Sequence, residues 1–251
     1  MADADCDSNG LPQPGAVAAG VESDGTMATT IPSRSTTTPG DQCVEMREID
    51  WKRYVTMLRL RGERPIPRMV YLDGSLFLIS SSLPRESLKK LLGLFVTEVV
   101  VGLDIPCRQT GQTTFRHRRK RGGVEGDETF YLANAARVRG KGKIDLRTDP
   151  PPDLAIEVVY TQGAAAAIEV YHRLGVREVW IGDERGLRIL VLQDDGRYAE
   201  VPAGAAFPFL TAAEIFSWVG RPQAEPDTEW VKEVRRWVRD TLAPRRAGRP
   251  L

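Results

Sequence analysis

Hydrophobic residues at helical spacing predict two helices in the first half of the chain. In the stretch EIDWKRYVTMLRL, the residues Trp51, Tyr54, Val55 and Leu58 recur with the period of one helix face. Over residues 84–101, a second apolar set predicts a longer amphipathic helix. The charged residues expected towards its other face are Arg85, Glu86, Lys89 and Lys90.

Strands are predicted where short apolar runs stand between turn residues. The stretch RMVYLDGSLFLIS contains two such runs around Asp73 and Gly74, which is a strong signal for a hairpin. The run LAIEVV at 154–159 is bounded by prolines in front and by Gly163 behind, and this predicts a strand buried on both faces. Further strands are predicted near 105–109, 113–116 and 128–132, in REVWIGD, and in a hairpin that turns near residues 194–196.

The last third of the chain favours helices again. Alanines support a helix over 163–174, and Thr211 with Glu214 forms a capping box that opens another. A final amphipathic helix at about 228–241 is expected to pack on the domain or on a partner. Because helices and strands are mixed without regular alternation, the predicted class is α/β or α+β around a mixed sheet.

The domain organisation follows from changes in composition. Residues 1–44 are rich in Gly, Ala, Ser, Thr, Pro and Asp without periodicity, which predicts a disordered tail, and Met27 is a candidate for the true start. One domain is predicted over 45–220, followed by an amphipathic helix and tail over 221–251.

Composition limits the kinds of chemistry that the chain can carry. With 251 residues and 41% hydrophobic content, the chain can bury one sizeable core. Its 35 basic and 34 acidic residues leave a net charge of +1, so nucleic-acid binding requires a local basic patch. Three dispersed cysteines and two histidines offer no zinc or disulfide framework, so any metal would be a hard ion on oxygen ligands.

The sequence carries no signal for export or membrane insertion. Its first residues, MADADCDSNG, are acidic, and no apolar core of a signal peptide follows them. The most apolar stretch, LLGLFVTEVVVGLDI, falls short of the ~20 apolar residues that a membrane span requires. We therefore expect a cytoplasmic protein.

A carboxylate in the middle of the buried strand LAIEVV needs a physical reason. Glu157 points away from the apolar layer formed by its neighbours, and a buried charge is costly unless something compensates it. A bound metal ion is one such compensation. A structural ion pair with one of the many arginines, or a solvent-facing side of an edge strand, would explain the residue equally well.

Two further carboxylates stand where they can join Glu157. Asp127 begins the predicted strand GDETFYL, and Glu86 lies on the polar side of the long helix. Two acids from neighbouring strands and one from a facing helix form a cluster suited to Mg²⁺. Each has an ordinary alternative, because Glu86 can be a solvated helix residue and Asp127 a turn residue.

Several of these stretches together resemble one known family. The chain is similar to the Uma-two family of restriction endonuclease-like proteins, a branch of the PD-(D/E)XK nuclease superfamily, over about residues 50–220. The most specific pattern is PPDLAIEV followed by a tyrosine, GV and EVW. The other matching stretches are YLDGSLFLIS, PRESLKKLL and GDETFYLANAARVRGKGKIDL.

The resemblance implies a fold, an activity and a set of site residues. It implies a restriction-endonuclease-like core, with a mixed central sheet flanked by helices, and hydrolysis of phosphodiester bonds in DNA with Mg²⁺ or Mn²⁺. By this resemblance Asp127 and Glu157 are metal ligands, and Glu86 is an accessory catalytic residue. Related nucleases are often dimers, so a homodimer is possible, but no stretch of the sequence fixes an interface.

One part of the family's pattern is missing from this chain. The superfamily lysine two positions after the acid corresponds to Val159, and the family's alternative lysine position corresponds to Ala167. A preceding aspartate that is common in the family is replaced by Ala166. Candidate substitutes for the lysine are Gln162, Lys141, Lys143 and Arg173.

The run FRHRRKRGG just before Asp127 is the strongest local basic patch. It can contact the phosphate backbone of DNA independently of sequence, or it can be a solvated surface loop. Two functions therefore remain open: a metal-dependent DNA endonuclease, or a catalytically impaired nuclease-fold protein that binds nucleic acid or acts as a scaffold. The residues predicted to bind nucleic acid are Arg116, Arg118, Arg119, Lys120 and Arg121.

Overall fold

The protein is described here by a computed structural model. The structure describes residues 42–64, 66–159, 163–221 and 227–247. Of the sequence predictions, most of the N-terminal tail and the candidate lysine substitute Gln162 lie outside the described residues.

Eleven strands form two sheets within the described residues. A five-stranded antiparallel sheet contains β1, β3, β2, β6 and β5 in that order, and a six-stranded sheet contains β11, β10, β9, β8, β7 and β4. The six-stranded sheet is mixed, because β8 and β9 run parallel while its other neighbours are antiparallel. The strands are β1 Gln42–Met46, β2 Arg68–Leu72, β3 Ser75–Ser80, β4 Arg108–Gln109, β5 Thr114–His117, β6 Gly122–Glu125, β7 Glu128–Tyr131, β8 Leu154–Val158, β9 Glu178–Gly182, β10 Leu187–Leu192 and β11 Tyr198–Val201.

Six α-helices accompany the sheets in the described part of the chain. They are α1 Trp51–Arg61, α2 Leu83–Gly102, α3 Gly163–Leu174, α4 Ala212–Val219, α5 Asp227–Trp237 and α6 Ala243–Ala247, with a π-helical turn at Val238–Leu242 between the last two. None of these helices has the length and apolarity needed to cross a membrane. The predicted mixed α/β class with a helix-flanked mixed sheet is confirmed.

The core of the mixed sheet lies between β8 and the long helix α2. Phe95 and Val96 of α2 are fully buried in one cluster with Ile156 of β8 and Trp180 of β9. Helix α5 packs on α2 and buries Trp230, so the C-terminal helix covers the domain itself. An ion pair between Arg235 Nε and Glu98 Oε2 at 2.8 Å joins the same two helices.

Several elements that local patterns predict are present in the structure. The hairpin between β2 and β3 turns at Asp73 and Gly74, whose φ angles of 49° and 98° are those of the favoured two-residue turn. The capping box of Thr211 and Glu214 opens α4 as predicted. The antiparallel sheet was only partly predicted, since its β2–β6 pairing joins segments about 50 residues apart in sequence, beyond the reach of local patterns.

The charged face of α2 differs from the prediction. Arg85 and Lys89 are only 2% and 3% exposed, although their charge and helical position predicted a polar face. Glu86 keeps a side chain that is 38% exposed. The N-terminal half of α2 therefore buries two cations inside the protein, and each of them needs an acidic partner.

Candidate functional site

The two acids predicted from the sequence lie side by side in the structure. Asp127 immediately precedes β7, whose Glu128 is paired with Ile156 of β8, and Glu157 is the next residue of β8. The backbone N–H of Val158 donates a hydrogen bond of 2.8 Å to Asp127 Oδ2. Antiparallel pairing of β7 with β8 thus brings both carboxylates to one place, and we call Asp127 and Glu157 the acid pair.

A guanidinium group lies between the members of the acid pair. Arg68 Nη1 is 3.1 Å from Asp127 Oδ1 and 2.7 Å from Glu157 Oε2. The same nitrogen donates to the backbone oxygen of Glu125 at 2.9 Å. Arg68 is the first residue of β2 in the other sheet and is 3% exposed, so the ion pairs are buried on both sides.

Two more cations from α2 stand near Asp127. Arg85 Nη2 lies 3.3 Å from Asp127 Oδ2. Lys89 Nζ pairs with Glu86 Oε2 at 2.6 Å, and its charge also acts on Asp127. Glu86, the predicted accessory catalytic residue, thus pairs with Lys89.

The environment pushes the pKa values of the two acids in opposite directions. Burial raises the pKa of Asp127, but the charges of Arg68 and Arg85 oppose it. With the Val158 N–H and the charge of Lys89, they hold the pKa below its ordinary value. For Glu157 burial is the dominant effect; Arg68 offsets it only in part and the charge of Asp127 adds to it, so the pKa of Glu157 lies above its ordinary value. Asp127 therefore ionises more readily than an ordinary aspartate, and Glu157 ionises less readily than an ordinary glutamate.

Helix α3 contributes the hydroxyl group of Tyr171 to the acid pair. The family pattern has its lysine one turn earlier on the same helix, at the position of Ala167. Tyr171 Oη donates a hydrogen bond of 2.6 Å to Glu157 Oε1. Burial, followed by the charge of Glu157, raises the pKa of Tyr171 well above its ordinary value, so the hydroxyl stays protonated and can only donate to the carboxylate. Ala166 and Ala167 are buried in the apolar cluster on this helix and bring no charge to the site.

Of the candidate substitutes for the missing lysine, those that the structure describes either pair with other acids or are exposed. Lys141 pairs with Asp149, and Arg173 Nη2 lies 2.7 Å from Asp73 Oδ2. Lys143 is exposed. The cations that do surround the acid pair are Arg68, Arg85 and Lys89, which sequence reasoning did not assign to the site.

A signal for Arg68 was present in the sequence. Arg68 opens the otherwise apolar strand RMVYL, just as Glu157 interrupts the apolar strand LAIEVV. A single charge in each of two buried strands suggests that the two charges compensate each other. Which strands meet is a property of the tertiary structure, so this pairing could not be fixed from spacing.

A polar cavity of about 430 Å³ adjoins the acid pair through Arg68. We call it the arginine cavity. It is lined by Arg61, Gly62, Glu63, Arg64, Arg68, Thr110, Gln112, Thr113, Thr114 and Glu125.

The predicted basic run lies at the other end of the β5–β6 hairpin. His117 pairs with Gly122 and Thr114 pairs with Glu125, so residues 118–121 form the tip that is remote from Glu125. Gly122 and Glu125 are three residues apart, which corresponds to roughly 10 Å along the strand. The arginines and the lysine of the run are exposed, and Arg121 Nε lies 3.1 Å from Asp73 Oδ1.

The groups at the acid pair determine whether a divalent cation fits there. Mg²⁺ prefers oxygen ligands, and Asp127 Oδ1 is a buried oxygen with no hydrogen-bond donor among the described residues. However, Arg68 already lies within ion-pair distance of both carboxylates, and Arg85 and Lys89 add positive charge. Within the described ranges, no group of three or more His, Cys, Asp or Glu side chains could hold a metal. In this arrangement the residues do not fit a divalent ion.

Comparison with known proteins places the chain among nuclease-related sequences. Residues 51–224 match the Uma2 family, which is described as "Putative restriction endonuclease". The chain is also similar to a solved structure described as a putative nuclease belonging to DUF820 from Anabaena variabilis, with a TM-score of 0.47 and 13% sequence identity. That similarity covers 64% of this chain and 96% of the other. No curated protein matches the chain.

Proposed function

Because the chain belongs to the Uma2 family of restriction endonuclease-like proteins, we propose that it is a DNA endonuclease whose acid pair is closed by Arg68 in the arrangement described above. The family supports a nuclease as the general class. DNA as the substrate and Asp127 and Glu157 as the catalytic acids are the specific parts of this proposal. A homodimer is a further part, which light scattering of the purified protein can check.

One observation carries the proposal. Asp127 and Glu157, from adjacent strands, converge on a single nitrogen of Arg68 at 3.1 and 2.7 Å. Two acids that lie side by side next to a polar cavity are the arrangement that the family resemblance implies for the catalytic acids.

The chain's own residues orient the acids. The Val158 N–H fixes Asp127 Oδ2, and the hydroxyl of Tyr171 fixes Glu157 Oε1. Arg85 and Lys89 supply positive charge beside Asp127, which favours the ionised form of that acid. Because a divalent ion does not fit the acid pair in this arrangement, no step of the proposed reaction is assigned to Mg²⁺ or Mn²⁺.

A second function is favoured by a separate observation. Ala166 and Ala167 are buried and apolar at the positions where the family's pattern has an aspartate and a lysine. A protein that lacks these groups and holds its acids on Arg68 can bind nucleic acid or act as a scaffold without hydrolysing it. The exposed residues of the basic run would then provide the contacts to phosphate groups.

Plasmid cleavage tests the first function against the second. With Mg²⁺ or Mn²⁺, the wild-type protein is expected to nick supercoiled plasmid, and Glu157→Gln is expected to reduce the rate on the order of 100-fold or more, because a catalytic carboxylate is lost. Conversion of supercoiled to open-circular DNA is the readout. Glu184→Gln, at an exposed position, is the matched control and is expected to cleave at the wild-type rate.

Each alternative outcome has a defined meaning. Equal cleavage by the wild type and by Glu157→Gln would remove Glu157 from the reaction. If the wild type binds DNA in a gel-shift assay but does not cleave it over a range of metals and salt concentrations, the second function is supported instead.

A further inference from the structure

We propose that a second cavity, at the tip of the β5–β6 hairpin, binds one unpaired nucleotide of single-stranded DNA, with its base against Trp51 and its phosphate on Arg118 and Arg121. The cavity has a volume of about 410 Å³, and we call it the aromatic cavity. Its wall includes Glu48, Asp50, Trp51, Tyr71, Arg118 and Arg121. This inference deepens the proposed function, because it names the form of DNA that is bound, and it rests on that function for DNA as the ligand.

Three segments that are distant in sequence build the aromatic cavity, and backbone hydrogen bonds hold them together. The N–H of Ile49 donates to the oxygen of Gly74 at 2.9 Å, which joins the start of α1 to the turn between β2 and β3. The N–H of Asp73 donates to the oxygen of Arg121 at 3.1 Å, which joins the same turn to the tip of the β5–β6 hairpin. The walls are therefore fixed relative to one another, and this lowers the cost of ordering a ligand between them.

The backbone of the wall is unusual at two positions. Glu48 and Arg121 have φ angles of 58° and 50°, in the left-handed region that residues other than glycine rarely adopt. Among the described residues, the other non-glycine positions with positive φ are Asp73, whose turn requires it, and Asp104. Such conformations cost free energy and concentrate at binding and active sites, so their presence in one wall supports a functional role for the cavity.

Trp51 gives the cavity an aromatic surface on which a base can stack. Its ring is half-buried and packs edge-to-face on Tyr54 and Tyr71, with centroid distances of 5.4 and 5.6 Å. The rings of Tyr54 and Tyr71 are themselves stacked at 4.7 Å, so Trp51 belongs to a tightly packed aromatic group. Because every nucleobase has an aromatic face, a surface of this kind binds unpaired bases largely independently of sequence.

Two arginines supply positive charge beside this aromatic surface. Arg118 is exposed and makes no ion pair within the described part of the chain. Arg121 Nε lies 3.1 Å from Asp73 Oδ1, which orients the guanidinium while the side chain stays 66% exposed. Guanidinium groups bind phosphate oxygens through parallel hydrogen bonds, so the two arginines are suited to the phosphate of a nucleotide.

Two carboxylates in the same wall favour a nucleotide over a bare phosphate ion. Asp50 Oδ1 accepts from the N–H of Arg53 at 2.7 Å and caps α1, while Glu48 is exposed. Two acids and two arginines leave the lining without net charge, so it does not favour a simple anion. A nucleotide offers a phosphate to the arginines and a ring to Trp51. In adenine, cytosine and guanine it also offers an amino group that can donate to a carboxylate.

The bound nucleotide must be unpaired, because the bases of a duplex are stacked inside the helix and must leave it to enter a pocket. The volume of the aromatic cavity lies within the range of small-ligand sites, which is enough for one nucleotide. The cavity and Glu125 lie at opposite ends of β6, roughly 10 Å apart along the strand. The aromatic cavity is therefore separate from the acid pair, and it binds DNA whether or not hydrolysis follows.

Fluorescence anisotropy of the full chain tests the cavity. The probes are a short fluorescein-labelled oligonucleotide of mixed sequence and the same strand annealed to its complement. We expect the wild type to bind the single strand about 5-fold or more tightly than the duplex, because stacking of one base contributes on that order. Equal affinity for the two probes, or no binding of the single strand, would overturn the proposal.

Arg118 and Arg119 provide a matched pair of variants for the charge. Both are exposed and belong to the same short turn, Arg118–Lys120, but of the two it is Arg118 that lines the cavity. Arg118→Ala is expected to weaken single-strand binding several-fold and to reduce the preference over the duplex. Arg119→Ala is expected to weaken binding of both probes by one smaller factor, because it can contact only the backbone. Equal effects of the two variants on single-strand affinity would indicate a general basic surface and refute the cavity.

Two variants of Trp51 test the stacking. Trp51→Leu keeps an apolar side chain but removes the ring, and it is expected to weaken single-strand binding about 5-fold or more while duplex binding stays at the wild-type value. Trp51→Phe keeps a ring and is expected to retain most of the preference for the single strand. If circular dichroism shows that Trp51→Leu does not fold, the comparison of Arg118→Ala with Arg119→Ala decides.

Binding and cleavage together separate this proposal from the endonuclease. A preference for single strands that depends on Arg118 and Trp51, without cleavage of DNA by the wild type, would leave the aromatic cavity in place and refute the endonuclease. Cleavage by a wild type that lacks this preference would leave the endonuclease and refute the cavity.

Discussion

Replacement of Arg68 by alanine is expected to lower the free energy of unfolding by about 3–5 kcal/mol at pH 7 without divalent ions, because it leaves buried acids without their shared cation. Asp127 and Glu157 are 1% and 0% exposed, so water cannot replace the guanidinium. The truncation also leaves space where a large side chain packed between the two sheets. Urea denaturation followed by tryptophan fluorescence measures the loss.

Two comparisons assign the loss to charge. Arg59→Ala removes an exposed arginine and is expected to stay within about 0.5 kcal/mol of the wild type. The double variant Arg68→Ala, Glu157→Gln removes one stranded charge together with the cation and leaves Asp127 paired with Arg85, and it is expected to recover part of the stability. If Arg68→Ala alone were as stable as the wild type, the acids would not depend on Arg68.

Elements that are determined by neighbouring residues could be predicted from the sequence. The periodic residues of α1, the Asp73-Gly74 turn and the capping box of α4 each act over a few positions, and each is present in the structure. The buried strand β8 was also recognised, because it is short, β-branched and bounded by turn residues. The fold class followed from the order of these elements.

The electrostatic arrangement of the site could not be predicted in the same way. Arg68 and Glu157 are 89 residues apart and belong to different sheets, so only the tertiary structure brings them together. Arg85 and Lys89 were placed on the polar face of their helix because charged residues usually stay in water. Here both cations are buried and have acidic partners, Asp127 for Arg85 and Glu86 for Lys89.

The charge of Glu157 illustrates both the value and the limit of the sequence. A carboxylate within LAIEVV correctly indicated that a compensating group must lie nearby. From the sequence alone, a metal ion and an arginine satisfy that requirement equally well. The structure places Arg68 there. The structure places Asp127 and Glu157 side by side, but the family resemblance could not reveal which cation lies between them.

The pKa values of the two acids are shifted in opposite directions. We therefore expect neutral substitutions of Asp127 and Glu157 to lower the free energy of unfolding by very different amounts. Asp127→Asn is expected to cost about 3 kcal/mol at pH 7, because it removes the ionised partner of both Arg68 and Arg85. Glu157→Gln is expected to stay within about 1 kcal/mol of the wild type, because it keeps a polar group for Tyr171 and removes a charge that burial disfavours. Asp194→Asn, at an exposed position, is the control.

The difference in stability between the wild type and each variant is expected to depend on pH. The dependence has opposite signs for Asp127→Asn and Glu157→Gln, which provides the strictest test. The pKa of Asp127 is lowered in the folded protein, so its contribution is present above the ordinary value of 3.8 and is lost as the pH falls through the folded-state pKa. The gap between wild type and Asp127→Asn should therefore close in acid. The pKa of Glu157 is raised, so its ionisation costs stability as the pH rises from the ordinary value of 4.5 through the folded-state pKa. Glu157→Gln should thus gain relative to the wild type as the pH rises, and equal pH profiles for the two variants would show that the acids do not divide their roles in this way.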